Sequence, residues 1–389
     1  QNNVSLVSTC YPTASALACS WDVTAAERLG GAVAKEAWNA DVAVLLGPGI
    51  NMKRSPLCGR NFEYFSEDPF LAGRLGAAYV SAAQGEDVAV SLKHFAANNQ
   101  ETNRQTSNSQ IDERALREIY LSAFEYVVKT ARPATVMASY NRLNGYYACE
   151  NRHLLTEILR EEWGFDGVVI SDWGACADLA KAVKAGMDLE MPDSHGIHAR
   201  KLKAALKAGE ISEEDIAKAA GRIEKLVKKY APDNRAKKDT SDAHGIAKQL
   251  ACESAVLLKN DGILPISQDA DVVVIGALAE QMRFQGGGSS HINTASFPNA
   301  LDALRKLDEE CGELKRLYVR SDFRGHQIGE QLIRRILDDA REIGYRHVLL
   351  DTLPFLHSAI RLYRKIGFYE IDCYNNSPVE ATIFLQYDL

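Results

Sequence analysis

Val168-Val169-Ile170-Ser171-Asp172-Trp173 decides the fold class of this chain. Three branched apolar residues fit for a strand buried on both faces run straight into a carboxylate and an indole, and barrel enzymes keep their chemistry at such C-terminal strand ends. The same punctuation recurs upstream. Val44 to Leu46 runs into Gly47-Pro48-Gly49, Val88 to Leu92 into Lys93-His94-Phe95, and Thr135 to Ala138 into Ser139-Tyr140-Asn141. Helix-like segments separate the runs. In Glu113 to Lys129, for example, Leu116, Ile119, Tyr120, Ala123, Phe124 and Val127 stand at helical spacing. That alternation predicts a parallel sheet with crossover helices.

Composition sets the outer bounds. With 389 residues, 46% of them hydrophobic, the chain has material for two domains and a large core. A net charge of −7 gives no electrostatic reason to expect a nucleic-acid partner. No apolar stretch is long enough to span a bilayer, and no charged-then-apolar signal segment opens the chain. No membrane partner and a cytoplasmic location are therefore expected, for a chain whose first residue is Gln1 rather than Met. The eight cysteines, at 10, 19, 58, 149, 176, 252, 311 and 373, are neither paired nor dense and read as mostly buried free thiols. No Cys/His pair stands at ligand spacing, so no metal is expected, and His195 and His198 read as surface-loop residues.

Residues 1–230 hold the strand and helix repeats, closing with Ser212 to Tyr230, where Ser212 is an N-cap with Asp215 three residues on. The polar, proline-bearing segment Ala231 to Asp242 (APDNRAKKDTSD) reads as a linker to a second domain of residues 243–389. There His244 to Leu258 reads as a helix and Asp271 to Gly276 as a buried strand, followed by the glycine-rich turn Gly286 to Ser290. That turn fits neither phosphate-binding fingerprint, since no lysine follows it. Asn299 to Leu307, Gly329 to Ile343 and Ser358 to Ile366 read as helices, and Glu313 to Val319 and His347 to Thr352 as strands. Residues 270–389 thus form one β-α-β-α-β-α series.

Three long motifs carry a resemblance: Lys53 to Pro69 (KRSPLCGRNFEYFSEDP), Ser91 to Thr102 (SLKHFAANNQET) and Gly167 to Gly174 (GVVISDWG) resemble glycoside hydrolase family three β-glucosidases. The likeness continues through Ala251 to Pro265 (ACESAVLLKNDGILP) and Phe284 to His291 (FQGGGSSH) and stops near residue 305. From about Glu313, Arg316 to Leu332 (RLYVRSDFRGHQIGEQL) and Ala359 to Phe368 (AIRLYRKIGF) resemble the acetyl-CoA-binding half of a Gcn5-related N-acetyltransferase. The chain reads as a hybrid of two incomplete families. The implied fold is α/β: a (β/α) TIM-type barrel, complete or lacking its first strand, then a smaller doubly wound α/β sandwich completed by the acetyltransferase-like segment. In that arrangement the second half would extend one sheet from strand 271–276.

The hydrolase resemblance implies retaining cleavage of a terminal β-linked sugar through a covalent glycosyl-enzyme on Asp172. Such chemistry needs a carboxylate nucleophile and a second carboxyl about 5 Å away, and a sugar pocket needs forked donors, cations and an aromatic face. Arg60, Lys93, His94, Tyr140 and Trp173 supply that set, and by resemblance they bind the substrate. Glu63 and Glu101 are expected to support the site rather than act in it. Family members open with an Asp-Gly-Pro-His-Gly segment whose aspartate grips the sugar and which has no counterpart here. Their acid/base, a glutamate of the second domain, lies beyond the likeness. The expected partner is a small-molecule glycoside, with an open barrel side favouring a homo-oligomer, and no cofactor is expected. An alternative stays open, an acetyl-CoA-binding or N-acetyltransferase-like module with Arg324, Gly325 and Gly329 at the pyrophosphate and Tyr363 as general acid or packing residue, or a hybrid impaired in both functions. Gln327 stands where that family expects glycine.

Overall fold

The computed structural model describes residues 6–231, 235–266, 275–279, 281–287, 290–294, 299, 311–314, 326–374 and 382–389. The chain forms two compact units, Gln1–Ser267 with Ser289–Ala295, and Gln268–Gly288 with Ser296–Leu389.

In the first unit the strands, in chain order, are β1 (Val44–Leu45), β2 (Ala89–Phe95), β3 (Asn108–Ser109), β4 (Thr135–Ala138), β5 (Arg142–Leu143), β6 (Tyr146–Tyr147) and β7 (Val168–Ser171). All four apolar runs become neighbours in one parallel sheet, ordered β1-β2-β4-β7. Every residue of β4 and β7 is buried, as expected of strands covered on both faces. Leu189 adds a fifth parallel neighbour by bridging to Ile170. Among the described residues the sheet is open rather than a closed ring.

The crossover helices form for local reasons. Asp22 and Asp68 cap the helices Val23–Asn39 and Pro69–Gly85 by accepting from the second N–H of each, and Pro69 occupies the first turn, where its missing N–H costs nothing. These two helices approach so closely that a Cβ on Gly30 would sit 2.5 Å from the Tyr79 carbonyl oxygen. Phe95, fully buried, stands edge-on to Phe124 and Trp163 at 5.2 and 5.8 Å and ties β2 to the elements behind it. The helix Glu213–Tyr230 starts with the expected Ser212/Asp215 capping box. Its Ile223 and Leu226 pack on Met137, Val168 and Ile170.

The segment read as a linker lies along this unit instead. Trp38 Nε1 donates to Ala236 O (2.8 Å), Asn39 exchanges two hydrogen bonds with Lys238, and Lys238 Nζ reaches Glu86 Oε2 at 2.9 Å. The helix Ala243–Glu253 then buries Leu250 in the first unit's core. It stops at Glu253, short of the expected Leu258, whose side chain is 92% exposed.

In the second unit, β8 (Cys311–Glu313), β9 (His347–Thr352), β10 (Tyr369–Ile371) and β11 (Ile383–Asp388) form a sheet ordered β10-β11-β9-β8. The helices Ile328–Ile343 and His357–Ile366 form where the periodicity places them. β8 and β9 pair in parallel, but β11 inserts antiparallel between β9 and β10, so the sheet is mixed. Among the described residues, the core of Ile333, Leu337, Val348, Leu350, Tyr363, Phe368 and Leu385 draws on residues 314–389. Residues 271–274 of the expected strand 271–276, 300–307 of the expected helix 299–307 and 315–319 of the expected strand 313–319 lie outside the described residues.

Candidate active site

Each parallel strand hands its next residues to the same sheet edge, because parallel strands end on one side. β2 has a register shift between Leu92 and Phe95 against β4, and at that irregularity Lys93 and His94 leave the ladder. Asn51 holds the turn: its Nδ2 donates to His94 O at 2.8 Å and its Oδ1 accepts from His94 N at 2.7 Å. β4 leads to Tyr140 and β7 to Asp172, whose own N–H bonds Ala138 O at 2.9 Å.

Asp172 is 7% exposed. Its Oδ1 accepts from Trp173 N at 2.7 Å, while Oδ2 is buried with no hydrogen-bond partner among the described residues. Burial raises the carboxyl above the ordinary aspartate value, against the pull of the Trp173 N–H and the Arg60 and Lys93 cations. His94 Nε2 stands 3.5 Å from that free oxygen. This is not an ion pair, because burial and the surrounding cations push His94 far below the usual imidazole range and keep it neutral. Arg60 Nη2 lies 2.9 Å from His94 Nε2 and can only donate, so Nε2 is the acceptor and the Nδ1 proton points at the Tyr64 oxygen, 3.1 Å away.

Glu63 bridges the cations, pairing with Arg60 Nε and with Lys93 Nζ at 3.1 Å. Burial pushes its carboxyl up, but Lys93 and Arg60 outweigh burial and hold it below the ordinary glutamate range. Tyr140 donates to Trp173 O at 3.0 Å, and burial raises its phenol to about 12. The Trp173 side chain stands 48% exposed, so the indole is available at the rim. The structure thus brings Arg60, Lys93, His94, Tyr140, Asp172 and Trp173 to one sheet edge. Sequence reasoning missed Arg104, whose guanidinium lies 4.5 Å from the Tyr140 ring centroid and pairs with Glu101 at 2.6 Å. Its only signal was a cation three residues beyond Glu101 in a loop leaving β2.

One expectation changes, and one alternative is decided. His198 is no surface residue: its Nδ1 is 2.5 Å from Glu190 Oε1, and Cys176 joins them. Tyr363 packs edge-on against Phe368 at 5.8 Å in the second unit's core. Arg324 and Gly325 lie outside the described residues, as do Gly288 and Ser289 of the glycine-rich turn. Gly329 lies in the helix Ile328–Ile343, whose cap residue Gln327 adopts φ +60° and carries a side chain where a diphosphate would approach. The described residues make no cradle for such a group.

Residues 2–226 match the model of the glycosyl hydrolase family 3 N terminal domain. The chain belongs to glycosyl hydrolase family 3. Residues 257–368 of this family 3 chain match the acetyltransferase (GNAT) family, beginning well before Glu313. The chain is 48% identical over 307 residues to thermostable beta-glucosidase B of Acetivibrio thermocellus, covering 78% of this chain and 41% of that protein. It is 45% identical over 315 residues to an exo-alpha-(1->6)-L-arabinopyranosidase of Bifidobacterium longum, covering 77% and 41%. Among solved structures, the GH3 beta-glucosidase of Bifidobacterium adolescentis aligns with a TM-score of 0.74 at 46% identity over 78% of this chain and 45% of that one. Beta-glucosidase 3B of Thermotoga neapolitana, in complex with alpha-D-glucose, aligns at 0.74 and 34% identity over 87% and 48%. The family 3 chain spans less than half the length of these relatives. No described helix is long and apolar enough to cross a membrane.

Proposed function

We propose that this chain is a retaining β-glycosidase of the β-glucosidase type, with Asp172 as nucleophile. The observation that carries the reading is the free Asp172 Oδ2, buried at a strand end beside Arg60, Lys93 and His94. In the first step Oδ2 attacks the anomeric carbon as the glycosidic C–O bond breaks, and the bonding pair leaves on the aglycone oxygen, which departs as an anion or takes its proton from solvent. Water then attacks the glycosyl-enzyme, gives up one proton to solvent, restores the Asp172 carboxylate and releases the sugar with its configuration retained. Neutral His94 presents Nε2 as an acceptor for a hydroxyl without adding charge, while Arg60 and Lys93 supply donors and stabilise the carboxylate. The relatives named above act on glucosides and on an arabinopyranoside, so the pocket's class is a terminal pyranose.

The test is nitrophenol release from 4-nitrophenyl β-glucoside by wild type and Asp172→Ala, with and without azide. The expected result is loss of activity in the variant, partly restored by azide as a glycosyl azide. Undiminished release by the variant overturns the assignment.

A further inference from the structure

Beside the nucleophile's strand end lies a second set of reactive side chains that the hydrolysis does not use. Cys176, Glu190 and His198 each present one donor atom, and all three lie within 4.8 Å of one another. They come from separate, well-held pieces of backbone. Cys176 follows the turn in which Ala175 N donates to Asp172 O at 3.0 Å. Glu190 sits one residue past the Leu189 bridge, and the next residue is fixed by Met191 N to Ser171 Oγ at 2.8 Å and Gly174 N to Met191 O at 2.8 Å. His198 is in the first turn of the helix Ile197–Ala208, its N–H bonded to Ser194 Oγ at 2.9 Å. The glutamate and histidine side chains are 12% and 16% exposed, so the cluster is lined by protein yet open to an entering ion.

We propose that Cys176, Glu190 and His198 form a three-ligand site for a borderline-soft divalent cation of the zinc class, with the fourth position left to water. Thiolate, imidazole and carboxylate are the donors such an ion selects, whereas a hard ion such as magnesium takes oxygen alone. Tetrahedral bonds of ~2.0–2.3 Å place donor atoms roughly 3.3–3.7 Å apart. The His198–Glu190 contact must therefore open by about an ångström and the sulfur close by up to about as much. On binding, the S–H bond breaks, a sulfur–metal bond forms and the thiol proton leaves to solvent. Because binding releases the thiol proton, affinity falls as pH is lowered.

Cobalt(II) is the probe, because a thiolate ligand gives it a near-ultraviolet charge-transfer band. The full chain is expected to take one equivalent with that band, and zinc to displace it. Cys176→Ser is expected to abolish the band, and His198→Ala and Glu190→Gln to weaken binding at least about tenfold, with unchanged far-ultraviolet circular dichroism in each. His198→Ala, at the most exposed of the three, keeps the test decisive if the serine variant fails to fold. Absence of the band in wild type, its persistence in Cys176→Ser, or wild-type affinity in a folded His198→Ala overturns the site.

Discussion

Asp172 is a carboxylate held where its charge is disfavoured. Burial raises its folded-state pKa, so the folded protein binds that proton more tightly than the unfolded chain does. Stability from this group is complete below the ordinary aspartate value and is lost as pH rises through the raised one. At pH 7 Asp172→Asn is therefore expected to melt higher than wild type, and the gain to vanish below about pH 4, where both states are protonated. Melting curves of the two proteins across that range check it, and a variant no more stable at pH 7 contradicts it. The neighbouring histidine gives a second residue-scale expectation. Tyr64, fully buried, accepts the Nδ1 proton of neutral His94. Tyr64→Phe strands that buried donor and is expected to cost about 1–3 kcal/mol in urea unfolding. A cost under half of that would mean His94 has turned to another partner.

Between elements, two adjacent glycines separate propensity from packing. Both lie inside the helix Val23–Asn39, where alanine is better than glycine by about 1 kcal/mol. At Gly31 a Cβ meets nothing within 4 Å, so Gly31→Ala is expected to stabilise by up to that amount. At Gly30 it meets the Tyr79 backbone, and overpacking costs of about 1–3 kcal/mol win, so Gly30→Ala is expected to destabilise by roughly 1–2 kcal/mol. Urea midpoints of the pair decide it, and equal signs would mean the helices slide apart at little cost. The two glycines are indistinguishable as letters, which marks the limit of what the sequence makes legible. β2, β4 and β7 and their polar ends were readable because buried parallel strands are continuous apolar runs. Met187 to Met191 was not, since Asp188 interrupts it. That carboxylate is tolerated because Arg160 and Arg222, each contributed by a distant helix, pair with it at 2.7 and 2.8 Å. The same ignorance of distance in space hid Arg104 from Tyr140, and Cys176 from His198.

At the scale of the whole chain, the question is what protonates the leaving group. The family resemblance puts that acid beyond the residues that carry the likeness. Within the described site, Glu63 is held ionised by Lys93 and Arg60, the wrong form for a proton donor. β10 and β11 were both missed, because β10 (Tyr369–Ile371) is too short to show a pattern and β11 pairs with β9 across the intervening helix, and the insertion of β11 gives the second unit a mixed sheet with a core of its own. General acid help is worth about 10²–10⁴-fold. It matters little when the aglycone leaves unassisted, as nitrophenolate does, and fully when the leaving group is an alkoxide. The chain is therefore expected to hydrolyse nitrophenyl glucosides while turning over alkyl glucosides and disaccharides slower by about that factor. A plot of log kcat/KM against leaving-group pKa should be steeply negative. A flat plot would mean that an acid is in place, supplied by a residue of this chain or by a second copy. Repeating the measurement across protein concentration separates those two, because only acid supplied by a second copy is lost on dilution.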